Sequence, residues 1–324
     1  MNIVLTGATG FVGAALLSQL ALLCVAGRSI KVHALIRDPE RFDAPGFVRV
    51  LKGDVNNIPE GLFFDESHVL VHFGVKQIDT DGSGFHKDNV EGTSNLLSHC
   101  NVSTLGVVYG STLSVLGQKA QSHVDETLPL DPQTPLAESR AAAETLIINE
   151  MKDKGRWAYC LRPRFIFDVN DKFVLPGIKG LAEKGLCIGN GRQRYSIIAA
   201  SDYADVIVSL IDYIEKNNAS GEIHQKPLNV GYQEAISFEI IFSQFRQEMS
   251  CSSSIKKIPM PQWLPSLLKK LNKTSITAKA VQLELIGFDH FGDVSALENV
   301  IGSAIVRKNS AQIVSQMIKE IAHE

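Results

Sequence analysis

Short apolar runs alternate with stretches of helical period through the first half of the chain. "NIVLTG" at 2–7 is an apolar run ending in glycine, which reads as a buried strand. Residues 11–25 space their apolar side chains as a helix does. "KVHALIR", "FVRVLKGD" and "HVLVHFG" read as three further strands, followed by a helix near 88–100. "LGVVYGS" is a fifth strand. A helix near 135–152 precedes "WAYCLRPR", the sixth. Strands that are apolar throughout are covered on both faces, and their alternation with helices predicts a parallel sheet. The expected class is α/β, a doubly wound parallel sheet.

Past about residue 169 the pattern loosens. Residues 172–195 hold glycines and one helix-like piece. "IIAASDYADVIVSLIDYIEK" reads as a short strand and a helix, and "KPLNVG" as another short strand. The last 90 or so residues read as mostly helical, interrupted by "IPMPQWLP". The division expected is a large domain over 1–168, to which 198–231 partly returns. A smaller, mostly helical substrate-binding cap is expected from 169–197 and 232–324.

Composition narrows the class of ligand. The 324 residues are 44% hydrophobic and 21% charged, ordinary values for a globular chain. A net charge of -3 offers no basic field for nucleic acid. Cys24, Cys100, Cys160, Cys187 and Cys251 are scattered and have no His or Cys at metal-ligand spacing, so neither a disulfide framework nor a metal site is expected. The opening "MNIVLTGATG" has no basic segment leading into an apolar run, and "FVGAALLSQLALLCVAG" is too short and interrupted to span a bilayer. A cytoplasmic location and a small-molecule substrate are the expectations.

"TGATGFVG" sets Gly7, Gly10 and Gly13 between the first strand and the first helix. One glycine serves the tight turn, one lets the backbone approach a pyrophosphate, and one lets helix and strand pack closely. The helix N-terminus then offers free N–H groups and a positive dipole end to the phosphates. The second strand ends "HALIRD", with Ile36 where an acid would hydrogen-bond an NAD ribose and Arg37 next to it. Arg37 suits a 2'-phosphate. NADP is therefore favoured as cofactor, and NAD stays possible because Asp38 is an alternative partner for the ribose.

With these residues the chain resembles the extended short-chain dehydrogenase/reductase family, which comprises NAD(P)-dependent epimerases, dehydratases and enzymes like the 3-beta-hydroxysteroid dehydrogenases. The resemblance extends to "GDVNN" at 53–57, "VLVHFG", "NVEGTSNLL" at 89–97, "LRPR" at 161–164, "GNG" at 189–191 and "SDYADVI" at 201–207. These segments run in the family's order to about residue 231. The resemblance implies a Rossmann-type sheet and a homodimer paired through the helices near 90–100 and 135–152. It implies cofactor contacts from Gly7, Thr9, Gly10, Phe11, Val12, Gly13, Arg37, Asp54, Val55, Phe73, Gly74, Arg140 and Pro163, with Asp54 at the adenine and Asn89 structural.

The family's catalytic groups are a Ser or Thr, a Tyr, and a Lys four residues after the Tyr, whose charge favours the tyrosinate. "GSTLSVLG" at 110–117 places Thr112 at the hydroxyl position, beside Ser111. "DETLPLDPQTPLAESRAAAE" matches the family's run at Asp125, Glu126, Pro129, Pro132, Ser139, Ala143 and Glu144, so the register is fixed. Leu136 then occupies the Tyr position and Arg140 the Lys position. Leucine exchanges no proton. Arginine keeps the charge and the ribose contact but does not deprotonate. Tyr109, Tyr195, Lys76 and His72 are the other candidates for the acid, His72 reading best as a structural histidine. Arg164, where the family has a small residue, faces the nicotinamide, an acidic substrate group or a surface salt bridge. Nucleotide-sugar enzymes of the family carry an Arg seven residues before the Asp that matches Asp202. That place holds Tyr195, with Arg194 one position off. Two functions remain open: an NAD(P)-dependent oxidoreductase or epimerase/dehydratase with a degenerate site, or a catalytically silent NAD(P)-binding sensor.

Overall fold

A computed structural model describes residues 1–322 except 81, 172–173, 220, 270–279 and 281–282. Seven strands form its main sheet: β1 (Asn2–Thr6), β2 (Lys31–Ile36), β3 (Val48–Lys52), β4 (His68–His72), β5 (Thr104–Gly110), β6 (Trp157–Pro163) and β7 (Gln225–Val230). Their order is β7-β6-β5-β4-β1-β2-β3, with every pairing parallel. The order reverses between β1 and β4, and the carboxyl ends of the strands at such a reversal form the crevice where ligands usually bind in these sheets.

β4 and β6 are buried at every residue, which is why neither alternates apolar and polar positions. Helices α1 (Phe11–Val25), α2 (Gly92–Ser98), α3 (Pro135–Asp153) and α4 (Ala200–Asn217) cover the two faces. Leu16, Leu20, Ile207 and Leu210 pack with Ile3 and Leu5 on one face. Leu96, Leu97, Ala143 and Ile147 pack with Val4 and Leu70 on the other. The helix read near 88–100 begins as a π-helical turn, Lys87–Glu91, that continues into α2.

"KPLNVG", read as a short strand, pairs with β6 as β7, the edge of the main sheet. A second, four-stranded sheet joins Ile236–Ser237, Arg194–Tyr195, His290–Gly292 and Gln121–Val124. Gln121–Val124 lies within 1–168 and yet pairs with His290–Gly292. The outward face of α3 carries Glu138, Ala142, Thr145 and Asn149. A homodimer through this helix would meet small and polar side chains rather than an apolar stripe. Among the described residues no helix is long and apolar enough to cross a membrane.

Candidate active site

The glycine loop shows three separate reasons for its three glycines. Gly7 has φ +77°, and a Cβ there would fall 2.6–2.7 Å from the backbone of Phe73 and Gly74. A Cβ on Gly13 would lie 2.2 Å from the Gly7 carbonyl oxygen. Both collisions are with backbone, so no side chain is admitted. Around Gly10 only the Gly7 oxygen comes near, at 3.2 Å, and the rest of the space is open. Thr9, Gly10 and Phe11 are exposed, while Val12 is half-buried and Gly13 buried. Gly10 caps α1 without a side chain, and no acid stands in the first turn. The first N–H groups of α1 thus face an open space at the positive end of the helix, which fits a diphosphate.

At the end of β2, the exposed Asp38 pairs with Arg41 at 3.1 Å. Arg37 is exposed and forms no ion pair or hydrogen bond among the described residues. Asp54 uses one oxygen, Oδ1, to accept the N–H groups of Asn56 at 2.8 Å and Asn57 at 3.0 Å. Val55 beside it is buried, its carbonyl held by Asn95 Nδ2 at 2.9 Å.

Between β4 and α3 a chain of hydrogen bonds fixes each proton. His72 is fully buried, with Nδ1 2.7 Å from Thr6 Oγ1 and Nε2 2.9 Å from Thr93 Oγ1. Thr93 gives its own proton to the Asn89 carbonyl at 2.7 Å. It therefore accepts from His72 Nε2–H, and Nδ1 accepts from Thr6, whose oxygen also takes the Gly74 N–H at 2.9 Å. Burial first, and the charge of Arg140 second, push His72 down to about 3. It is neutral at ordinary pH. Asn89 donates from Nδ2 to the Lys76 carbonyl (3.0 Å) and to Ser139 Oγ (2.9 Å), and Ser139 in turn donates to the Leu136 carbonyl (2.8 Å). The loop after β4 is thereby tied to the first turn of α3. Thr134 starts that helix by accepting the Ala137 N–H at 3.2 Å, with Pro135 at the first position.

The structure brings Leu136, Arg140 and Thr112 together at the carboxyl end of β5. Arg140 is buried, its Nη1 donates to the Gly110 carbonyl, and its Nε has no partner. Leu136, one turn earlier, is half-buried. Thr112 accepts the Ser114 N–H at 3.3 Å, which leaves its own proton uncommitted. Ser111 is spent elsewhere: it donates to Glu144 Oε2 at 2.7 Å, inside a buried pair of Glu144 with Arg162. Phe73 packs over Gly110, where a Cβ would fall 2.4 Å from its ring. Gly74 and Pro163 complete the strand ends, Pro163 buried.

Both tyrosine candidates for the acid are buried. Burial raises Tyr109 to about 12, against the opposing pull of Arg140. Tyr195 does not face the cleft from a cap loop: it lies in a strand, 1% exposed, and donates to the Ile286 carbonyl. Burial pushes it well above the ordinary phenol range. Lys76 is engaged by Asp79 and Ser83, both at 2.8 Å. One feature escaped sequence reasoning. Tyr203 is buried beside Phe73 (ring centroids 6.2 Å apart) and feels the charge of Arg140. Arg164 is buried rather than in a surface salt bridge, and donates from Nη1 to Ser114 Oγ at 2.8 Å. "SDYADVI" shows Tyr203 only as a position on a helix start, and nothing local to "LRPR" shows burial.

A family model described as the NAD dependent epimerase/dehydratase family matches residues 3–231. The chain belongs to that family. Among curated relatives, 3beta-hydroxysteroid-dehydrogenase/decarboxylase isoform 1 of Arabidopsis thaliana is 28% identical over 190 residues, 55% of this chain and 42% of that protein. The decarboxylating sterol-4-alpha-carboxylate 3-dehydrogenase of Candida albicans is 26% identical over 243 residues, 68% of each chain. The matched part thus spans less than half of the first relative's length. Among solved structures, UDP-glucuronic acid 4-epimerase from Bacillus cereus in complex with NAD superposes with a TM-score of 0.72, covering 100% of this chain and 98% of that one. At 17% identity that likeness is one of fold. The epimerase/dehydratase neighbours share the Rossmann-type sheet with flanking helices.

Proposed function

We propose that this member of the epimerase/dehydratase family is an NADP(H)-dependent oxidoreductase acting on a hydroxyl or carbonyl group of a small molecule. Arg140 carries the reading: a buried guanidinium with an unpartnered Nε, at the strand ends that flank an open glycine cradle. When bound, the nicotinamide would supply or take up a hydride. The N–H groups of residues 11–13 hold the diphosphate, Arg37 the 2'-phosphate, and Asp54 with Val55 the adenine. Arg140 would hold the nicotinamide ribose, with Phe73, Gly74 and Pro163 beside it. The Thr112 hydroxyl donates a hydrogen bond to the substrate oxygen. Segments 169–197 and 232–324 serve as the substrate-binding cap.

Leu136 moves no proton, and loss of a positioned acid lowers rate by roughly 10²–10⁴-fold while the positioning of reactants remains. The same residue favours a second reading, a silent NAD(P)-binding sensor. Turnover followed by reduced-nicotinamide absorbance on a panel of small carbonyl compounds separates the two. Leu136→Tyr combined with Arg140→Lys is expected to raise turnover about tenfold or more. No gain with cofactor affinity intact gives the second reading.

A further inference from the structure

Arg164 directly follows β6 and is 9% exposed. Only its Nη1 is engaged, by Ser114 Oγ; Nε and Nη2 are buried with no hydrogen-bond partner. Among the described residues no carboxylate forms an ion pair with it. Burial lowers its pKa to about 9, with Tyr195 and Glu284 acting the other way, so it is a cation at neutral pH. A buried cation with a bare edge is a costly arrangement unless a ligand completes it.

The geometry of that edge selects the ligand. Nε–H and Nη2–H of a guanidinium point in parallel and match the two oxygens of a carboxylate. Arg162, two residues earlier, shows the match within this chain: its Nε lies 3.1 Å from Glu144 Oε2 while Nη2 binds Oε1. Arg164 presents the same edge, with no carboxylate at ion-pair distance among the described residues; the buried Glu284 acts on it from farther off. The residues proposed to hold the phosphates lie several strands away. Neighbouring strands lie about 4.8 Å apart, so β6 stands ~14 Å from β1 and its glycine loop and ~19 Å from β2 and Arg37.

The surroundings of Arg164 belong to the substrate side. His290 of the small sheet feels its charge, and the Phe165 ring centroid is 5.5 Å from its guanidinium carbon. Ser114, its anchor, is the residue whose N–H bonds Thr112 Oγ1. Ser114 thus links the Arg164 and Thr112 side chains through one residue.

We infer that Arg164 is the carboxylate receptor of the substrate site, and that the substrate is an oxo- or hydroxycarboxylate whose carboxylate pairs with Nε and Nη2 while its oxygen function meets Thr112. The inference rests on the oxidoreductase reading for the role of Thr112 alone. The test is calorimetric titration of the full chain, with and without NADP⁺. The ligands are 3-hydroxybutyrate, 3-hydroxyoctanoate and 3-hydroxy-3-phenylpropionate, each against its methyl ester. At least one acid is expected to bind tenfold or more tightly than its ester. Arg164→Gln is expected to erase that preference and Arg164→Lys to keep part of it, with NADP⁺ affinity unchanged in both. No acid preferred over its ester, or a preference that survives Arg164→Gln, overturns the inference. If Arg164→Gln does not fold, crystals of the wild type soaked with the preferred acid decide: a carboxylate seated away from Arg164 overturns it. An acid preference without NADP⁺ binding retains the receptor and removes the oxidoreductase reading instead.

Discussion

The two ends of the crevice treat their sequence in opposite ways. At the β1–α1 end the residues are forced by backbone geometry. Gly7 and Gly13 each exclude even a methyl group, because the atoms in the way are main-chain atoms of Phe73, Gly74 and Gly7 itself. At the β5–α3 end the positions are held just as firmly, yet their side chains differ from the family's. Leu136 and Arg140 sit where Tyr and Lys are expected, on a helix whose cap, first proline and tie to Asn89 are all present. Holding a dinucleotide depends on shape, which the first end keeps. Moving a proton depends on one chemical group, which a single substitution removes without disturbing shape.

Gly10 offers the sharpest way to break this contrast. Gly10→Val is expected to weaken NADP(H) binding at least a hundredfold, because its side chain would occupy the open space above the loop. The melting temperature should stay near that of the wild type, since only one atom crowds the new Cβ. Fluorescence titration and a thermal melt on the same sample check both. A variant that binds normally would show that the diphosphate does not lie against this turn.

A smaller effect is expected at the adenosine end. Arg37→Gln should lower NADPH affinity about 10–100-fold, the range of a lost charge-assisted pair, and leave NADH affinity unchanged. Equal losses for both cofactors would remove Arg37 from the 2'-phosphate and return the choice to NAD.

The smallest effect is electrostatic. His72 and His290 are both held near 3 in the fold, first by burial and then by Arg140 and Arg164 respectively. Their unfolded counterparts titrate near the ordinary value of about 6.5. Between those values the unfolded chain binds more protons than the folded one, so stability falls as pH drops below about 6.5 and is progressively lost toward 3. Each histidine adds up to about 1.4 kcal/mol per pH unit to that slope. His72→Asn should remove one such share from denaturant midpoints measured from pH 7 to pH 4.5. An unchanged slope would mean His72 is charged in the fold.

Much of this was legible in the sequence because it is encoded locally. The glycine spacing, the Thr134 cap with Pro135, and the register that puts Leu136 and Arg140 in place all lie within a few neighbouring residues. What was not legible depends on distant partners. Tyr195 reads as a candidate acid because nothing near it in sequence shows that His290, far along the chain, pairs beside it in the small sheet. Gln121–Val124 looks like part of the first domain for the same reason. "KPLNVG" acquires its role only from β6. Arg162 and Arg164 are indistinguishable as letters, and only folding gives Glu144 to one and not the other.

The tie between Asn89 and α3 carries one more consequence. Ser139 grips residue 136 through its carbonyl oxygen, not through its side chain. Every amino acid offers that oxygen. The clamp that seats the helix is blind to what stands at 136, so this position is a free slot in a fixed frame. A lineage can trade its tyrosine for leucine there, or trade it back, while the scaffold around it stays in register.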